Sequence, residues 1–282
     1  MSYYERMRDM HNEEENSLRW LSNILDILRQ KCPWDRGQTI DSLRYLTLEE
    51  AYELSDAILT SNYPEMCKEL GDLFMHVLFY SKIAEDKQQF SLCDVINSVC
   101  KKLISRHPHI SLPNREGILQ PATAHEEPKW EQVKMKEGRH SALEGVPASL
   151  PSLVKSIRMQ EKAAGLGFDF PTSDMALNKV REEYDELQKA LEEQKQEATE
   201  PRKETPGDAI IEEYGDLIFA IVKWGSFFGV NADDALAKAN QKFYRRFTYV
   251  EECAAHMGRT LPQLSMEEKV SLWQEAKRKE RE

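Results

Sequence analysis

Glu50 and Glu53, in Leu48-Glu49-Glu50-Ala51-Tyr52-Glu53, and Glu69 and Asp72, in Glu69-Leu70-Gly71-Asp72, put four carboxylates on two short segments. The chain then writes the arrangement again. Glu183 and Glu186 stand in Glu182-Glu183-Tyr184-Asp185-Glu186, and Glu213 and Asp216 in Glu213-Tyr214-Gly215-Asp216. On a helix, residues three or four apart share a face, so each segment presents one acidic pair. Two such helices packed antiparallel aim four carboxylates at one small volume. Like charges that close repel by about 1 kcal/mol per pair even at the dielectric of water. Something positive must lie between them, and a hard divalent cation, which prefers oxygen ligands, is the natural candidate.

One Glu-Glu-x-x-Glu alone is as well read as a solvated helix face, because Glu is a good helix former. The repetition weakens that reading. So do Gly71 and Gly215, each expected mid-helix at a cost of about 1 kcal/mol relative to Ala. Such glycines are expected where another helix approaches closely. Di-iron helical bundles need two Glu-x-x-His motifs, and only Glu137 and His140, in a poor helical context, have that spacing. Oxygen-only ligation therefore points to Mg²⁺, with Mn²⁺ also suited. These ions bind alongside substrate phosphates, which need local cations. Lys242, Arg245 and Arg246 in Lys242-Phe243-Tyr244-Arg245-Arg246-Phe247 supply them. Lys242 and Arg246 are four apart and share a face; the bland alternative is an ordinary charged helix surface.

The elements that must position these groups are helical. Apolar residues recur at helical spacing in 16–28, 46–59, 65–84 and 94–105, and strand-like alternation is scarce, so the expected fold is all-α. A Pro- and Gly-containing stretch at 106–127 reads as a connector, followed by one short helix near 130–138. His107-Pro108-His109 reads as a structural turn rather than a metal motif. Helical pattern resumes at 153, breaks at 165–171 and returns at 175. The polar stretch 192–208 is expected to be a loop, with helices again at 209–228, 232–257 and from 266 onward.

The two acidic sets align within the chain. Glu50 maps to Glu183 at an offset of 133, and Glu69 to Glu213 at an offset of 144. The extra residues fall in the polar 192–208 stretch, where length changes are tolerated. An aromatic-Asp pair precedes each set (Trp34-Asp35 and Phe168-Asp169), and a Lys-x-x-x-Arg pair follows each (Lys102/Arg106 and Lys242/Arg246). We read two tandem helical repeats: an N-terminal domain at 1–112, a connector at 113–150 and a C-terminal domain at 151–282.

Bulk properties narrow the class. The 282-residue chain carries a net charge of −11 and a pI near 5.3. That balance argues against nonspecific duplex binding, which depends on clustered Lys and Arg. The five cysteines form no Cys-x-x-Cys pair and read as free thiols in a reducing compartment. With neither an apolar signal segment nor a membrane-length run, the expectation is a cytoplasmic protein that binds neither membrane nor nucleic acid.

On Cys32-Pro33-Trp34-Asp35, Tyr45-Leu46-Thr47-Leu48-Glu49-Glu50, Glu69-Leu70-Gly71-Asp72-Leu73, Arg106-His107-Pro108-His109, Gly167-Phe168-Asp169 and Lys242-Phe243-Tyr244-Arg245-Arg246-Phe247, the chain resembles a MazG-type nucleoside triphosphate pyrophosphohydrolase. The resemblance covers nearly the whole length. It implies an all-α fold, Mg²⁺, a homodimer whose helices complete each other's bundles, and conversion of a nucleoside triphosphate to the monophosphate and pyrophosphate. Carried over by position, it makes Glu183, Glu186, Glu213 and Asp216 the metal ligands of the main, C-terminal site, with Glu50, Glu53, Glu69 and Asp72 a secondary set. It places Lys242, Arg245 and Arg246 on the triphosphate and Trp273 against the nucleotide. Lys179, Val180, Arg181, Glu182 and Glu183, together with Ala209, Ile210, Ile211 and Glu212, would line the pocket. Ala209 stands where relatives carry Lys. Glu182 or Glu212 would accept the proton of the attacking water. Two readings compete: an acidic helical module that docks basic partners and catalyses nothing, and a hydrolase of another nucleotide phosphoanhydride.

Overall fold

The computed structural model describes residues 3–124, 133, 135, 138, 140–197 and 206–280. Its helices are α1 (Tyr3–Lys31), α2 (Pro33–Gly37), α3 (Ile40–Leu59), α4 (Tyr63–Asp86), α5 (Leu92–Arg106), α6 (Ser152–Gly165), α7 (Ser173–Glu197), α8 (Asp208–Ser226), α9 (Ala232–His256) and α10 (Met266–Lys279), with a 3₁₀ turn at Leu261–Gln263. Among the described residues there is no strand, only an isolated bridge between Pro113 and Leu119. The all-α expectation holds. The chain divides into two compact units, Met1–Glu127 and Pro128–Glu282.

In the first unit α3 and α4 are the central packed pair. Thr39 starts α3 through a reciprocal cap: its side chain accepts from the Ser42 backbone N–H, and its own N–H donates to Ser42 Oγ. A cap of this kind contributes about 1 kcal/mol, and it moves the start six residues ahead of the expected Leu46. At the far end Ser61 takes a positive φ, and Asn62 accepts from the Glu65 N–H to open α4. Residues 60–62 thus fold the chain back and set the two acidic helices side by side. Leu25, Leu43, Leu78, Phe79 and Ile83 form the core. Across it, Lys82 pairs with Asp26 and Arg29 with Asp86, tying α1 to α4.

The second unit repeats the plan with α7 and α8. Helix α7 runs to Glu197, past the loop expected from residue 192, because Glu, Gln, Lys and Ala are strong helix formers even without an apolar face. Gln194 in α7 accepts from the Gly207 N–H at 3.1 Å, which fixes the entry into α8. Asn231 caps α9 and Ser265 caps α10; these two helices close on Val250, Ala254, Leu264 and Leu272. The short helix expected near 130–138 falls largely outside the described residues. His107 and His109 lie in the turn after α5, a ring nitrogen of His107 2.7 Å from the Leu103 carbonyl oxygen. All five cysteines are free.

Candidate active site

The sequence puts Glu50 midway along α3 and Glu69 and Asp72 in the first half of α4, so the reversal at 60–62 brings them together. Ligand oxygens of Glu50, Glu69 and Asp72 lie within 4.8 Å of one another, and those of Glu183, Glu213 and Asp216 form an equivalent group between α7 and α8. The fourth carboxylate of each set is close enough to be felt. Glu53 is raised above its ordinary pKa, chiefly by the charge of Glu69. Glu186 is raised by desolvation, then by its hydrogen bond with Glu183 and by the charges of Glu183 and Glu213.

Such crowding calls for a cation. Glu69 is fully buried, and its Oε2 has no hydrogen-bond partner, an arrangement that costs free energy unless a ligand meets that oxygen. The donors are all hard oxygens, which suits Mg²⁺ or Mn²⁺. Both grooves also carry a lysine. In the first, Lys68 reaches Glu69 at 2.8 Å and Glu65 at 2.9 Å; that hydrogen bond is the main reason Glu69 is held below the usual carboxylate range. In the second, Lys179 reaches Glu183 at 2.8 Å and Glu182 at 2.6 Å, and these bonds push its ammonium pKa upward.

The remaining expected positions separate into two places. Lys179 and Glu183 stand at the acidic cluster, with Val180, Arg181 and Glu182 on the same stretch of α7, and Glu182 is exposed and held by Lys179. Ala209, Ile210, Ile211 and Glu212 form the first turn of α8, largely exposed. Lys242, Arg245, Arg246 and Trp273 belong to α9 and α10. There Arg246 donates to Glu280 Oε2 at 2.7 Å, Arg245 pairs with the same carboxylate, and Arg246 lies over the Trp273 ring at 5.9 Å. Trp273 also packs on Phe243, ring centroids 5.3 Å apart. Among the described residues no hydrogen bond or ion pair joins this group to Glu183, Glu213 or Asp216.

The close helix approach expected at Gly71 and Gly215 is not found. Both glycines are exposed, and a Cβ built on either meets nothing within 4 Å.

Sequence reasoning did not anticipate a cavity of about 580 Å³ that opens beside the second cluster and shares Lys179, Glu183 and Asp216 with it. Met159, Phe168, Phe170, Phe219 and Ala220 supply its apolar wall. Gly167, at φ +91°, ends α6 in the left-handed conformation that suits glycine; the Phe168 N–H donates back to the Ala163 carbonyl, which sets Phe168 and Asp169 at the rim. Lys223 of α8 forms an ion pair with Asp169 at 2.5 Å, and Gln160 donates to the Phe219 carbonyl at 2.8 Å.

Two central helices that turn their carboxylates on one point form an acidic cluster whose oxygens could hold a metal ion. Residues 38–111 match the family model described as the MazG nucleotide pyrophosphohydrolase domain. The chain is 36% identical over 276 residues to the nucleoside triphosphate pyrophosphohydrolase of Escherichia coli strain K12, covering 94% of this chain and 98% of that protein. It is 34% identical over 262 residues to the Thermotoga maritima protein named nucleoside triphosphate pyrophosphohydrolase/pyrophosphatase MazG, covering 91% and 94%. A third relative, the uncharacterized YabN of Bacillus subtilis, is 36% identical over 257 residues, covering 89% of this chain and 49% of that protein. The chain belongs to the MazG nucleotide pyrophosphohydrolase family.

Proposed function

We propose that this protein hydrolyses nucleoside triphosphates to monophosphates and pyrophosphate, with its main site at the α7–α8 cluster. The convergence of Glu183, Glu213 and Asp216, with Glu186 beside them, in a chain of this family carries the reading. These four carboxylates would hold Mg²⁺ or Mn²⁺. A bound divalent cation supplies charge neutralisation for the triphosphate and acidifies an attacking water. Glu182 or Glu212 accepts the proton that this water gives up at a carboxylate oxygen. Lys242, Arg245 and Arg246 take up the charge that develops on the departing pyrophosphate. For that, Arg245 and Arg246 must release Glu280. The first cluster (Glu50, Glu53, Glu69 and Asp72) binds a cation but contributes little turnover.

The protein is inferred to work as a cytoplasmic homodimer with loose base selectivity and no nucleic-acid role. No helix among the described residues is long and apolar enough to cross a membrane. Leu70, Phe74 and Val77 on α4 and Tyr214, Ile218 and Ile221 on α8 occupy matching repeat positions and all are exposed. Apolar stripes of this kind require a covering surface, and a second copy supplies it. Sedimentation at micromolar concentration should give twice the chain mass.

The decisive experiment incubates the chain with each nucleoside triphosphate and Mg²⁺ and measures pyrophosphate against monophosphate. Equal amounts of the two are expected, and chelation should abolish both. Absence of product together with indifference to metal favours the acidic docking module instead. Release of orthophosphate alone places the cut at another anhydride.

A further inference from the structure

We propose that the first cluster takes a first-row transition-metal ion in preference to Mg²⁺, with His76 as a nitrogen ligand beside Glu50, Glu69 and Asp72. This goes beyond the hydrolase reading and rests on one part of it, that the first cluster holds a cation. Helix α4 carries Glu69, Asp72 and His76 at intervals of three and four residues, so all three share one face. His76 follows Asp72 by one turn, the spacing at which a single helix gives two ligands to one ion. It is not among the three residues whose oxygens already converge; it is the next group along their face.

Two buried polar atoms on that face lack partners. Lys68 takes Glu69 Oε1 at 2.8 Å, and Oε2 is left with nothing. His76 is 4% exposed, and its Nδ1 is likewise without a hydrogen-bond partner. Tyr80 lies edge-on to the ring, centroids 6.4 Å apart, but its hydroxyl is committed elsewhere. That hydroxyl is 2.7 Å from Thr47 Oγ1, whose own proton goes to the Leu43 carbonyl, so the tyrosine O–H donates to Thr47. Packing alone does not explain an imidazole here, since an apolar side chain fills such a place without stranding a nitrogen. Burial holds the ring below its ordinary pKa against the charge of Asp72. The ring is therefore neutral, the form in which histidine binds metals.

The other half of the chain supplies the contrast. Ala220 lies four residues after Asp216, as His76 does after Asp72. Among the described residues the second cluster offers carboxylates alone, the donor set that suits Mg²⁺. Imidazole added to carboxylates favours transition ions instead. The chain thus sorts its ions: Mg²⁺ goes to the unit assigned the hydrolysis, and a transition ion clamps α3 to α4 in the other.

The test uses the full chain carrying Asp216→Ala, which removes a ligand of the second cluster and leaves the first to report. With one equivalent of Mn²⁺, pulsed electron paramagnetic resonance should show coupling to an imidazole nitrogen. Calorimetry should show Mn²⁺ bound more tightly than Mg²⁺. Adding His76→Gln should abolish the coupling and weaken Mn²⁺ by about tenfold or more, the scale on which even an outer partner of a metal ligand acts, with Mg²⁺ affinity unchanged. His76→Phe, which keeps a ring in the space, gives the same readings if the glutamine variant melts early. Mn²⁺ bound without nitrogen coupling overturns the proposal, as does a coupling that survives loss of His76 or an equal weakening of both ions. If the Asp216→Ala protein binds neither ion, the reading of the first cluster as a cation site falls as well.

Discussion

Lys179 Nζ lies 2.8 Å from Glu183 Oε1, one helical turn away on the same face of α7. The lysine therefore stands in for part of the positive charge that the cluster requires. Removing it strengthens the mutual repulsion of Glu183, Glu186 and Glu213, and Glu186 loses a charge that lowers its pKa. Lys179→Met should lower the melting temperature of the metal-free protein by a few degrees, corresponding to about 1 kcal/mol. The rise in melting temperature on adding Mg²⁺ or Mn²⁺ should become larger than in the parent, because the ion no longer displaces an internal competitor. Thermal melts with and without metal check both parts.

The first groove should respond to pH. Glu50 is pushed up to about 7 from an ordinary 4.5, first by burial, then by its hydrogen bond with Glu69 and the charges of Asp72, Glu53 and Glu69. The folded chain keeps a proton that the unfolded chain has released across that interval. The stability it contributes is full below pH 4.5 and is lost as pH rises through about 7. Metal-free protein should melt at progressively lower temperature from about pH 5 to pH 8, and Glu50→Gln should flatten that slope. Ion binding displaces the same proton, so stabilisation by added Mn²⁺ should grow over this range.

Turnover should separate the two clusters. Glu183→Ala or Asp216→Ala is expected to reduce pyrophosphate release by about a hundredfold or more, the scale of losing one group that stabilises transition-state charge. Glu53→Ala should leave most of it. Steady-state rates for the three variants decide the matter, and equal damage from Glu53→Ala would move the main site to the first unit.

Glu280 holds Arg245 and Arg246 from the end of α10, and these bonds keep its own carboxyl below the usual range. An incoming phosphate must displace it. Glu280→Gln should lower KM for triphosphate by a few-fold without raising kcat, and the difference should shrink at high salt, as screening of exposed charge requires.

The helices and the carboxylate pairing were legible because both follow from short-range periodicity. Where the reading stopped short, another local effect dominated. Thr39 and Ser42 start α3 by a reciprocal cap ahead of the apolar pattern, and the Glu- and Lys-rich end of α7 stays helical with no apolar face to announce it. The glycines misled because a mid-helix Gly was expected to mark a close neighbour, whereas space lies open beside Gly71 and Gly215. The cavity left no periodic trace. It depends on Ala220 being small and on Lys223 reaching Asp169, residues far apart in sequence, and Ala220 reads along α8 as an ordinary core position.

Lys68 sits directly before Glu69 on the later acidic helix of its unit, where the other half carries Glu212; Lys179 sits on the earlier helix, where the first half carries Leu46. Two halves of common design have thus stored their internal counter-ion on opposite arms of the hairpin. An engineer gains a pair of independent dials, since recharging either lysine retunes one groove and has no counterpart to disturb in the other.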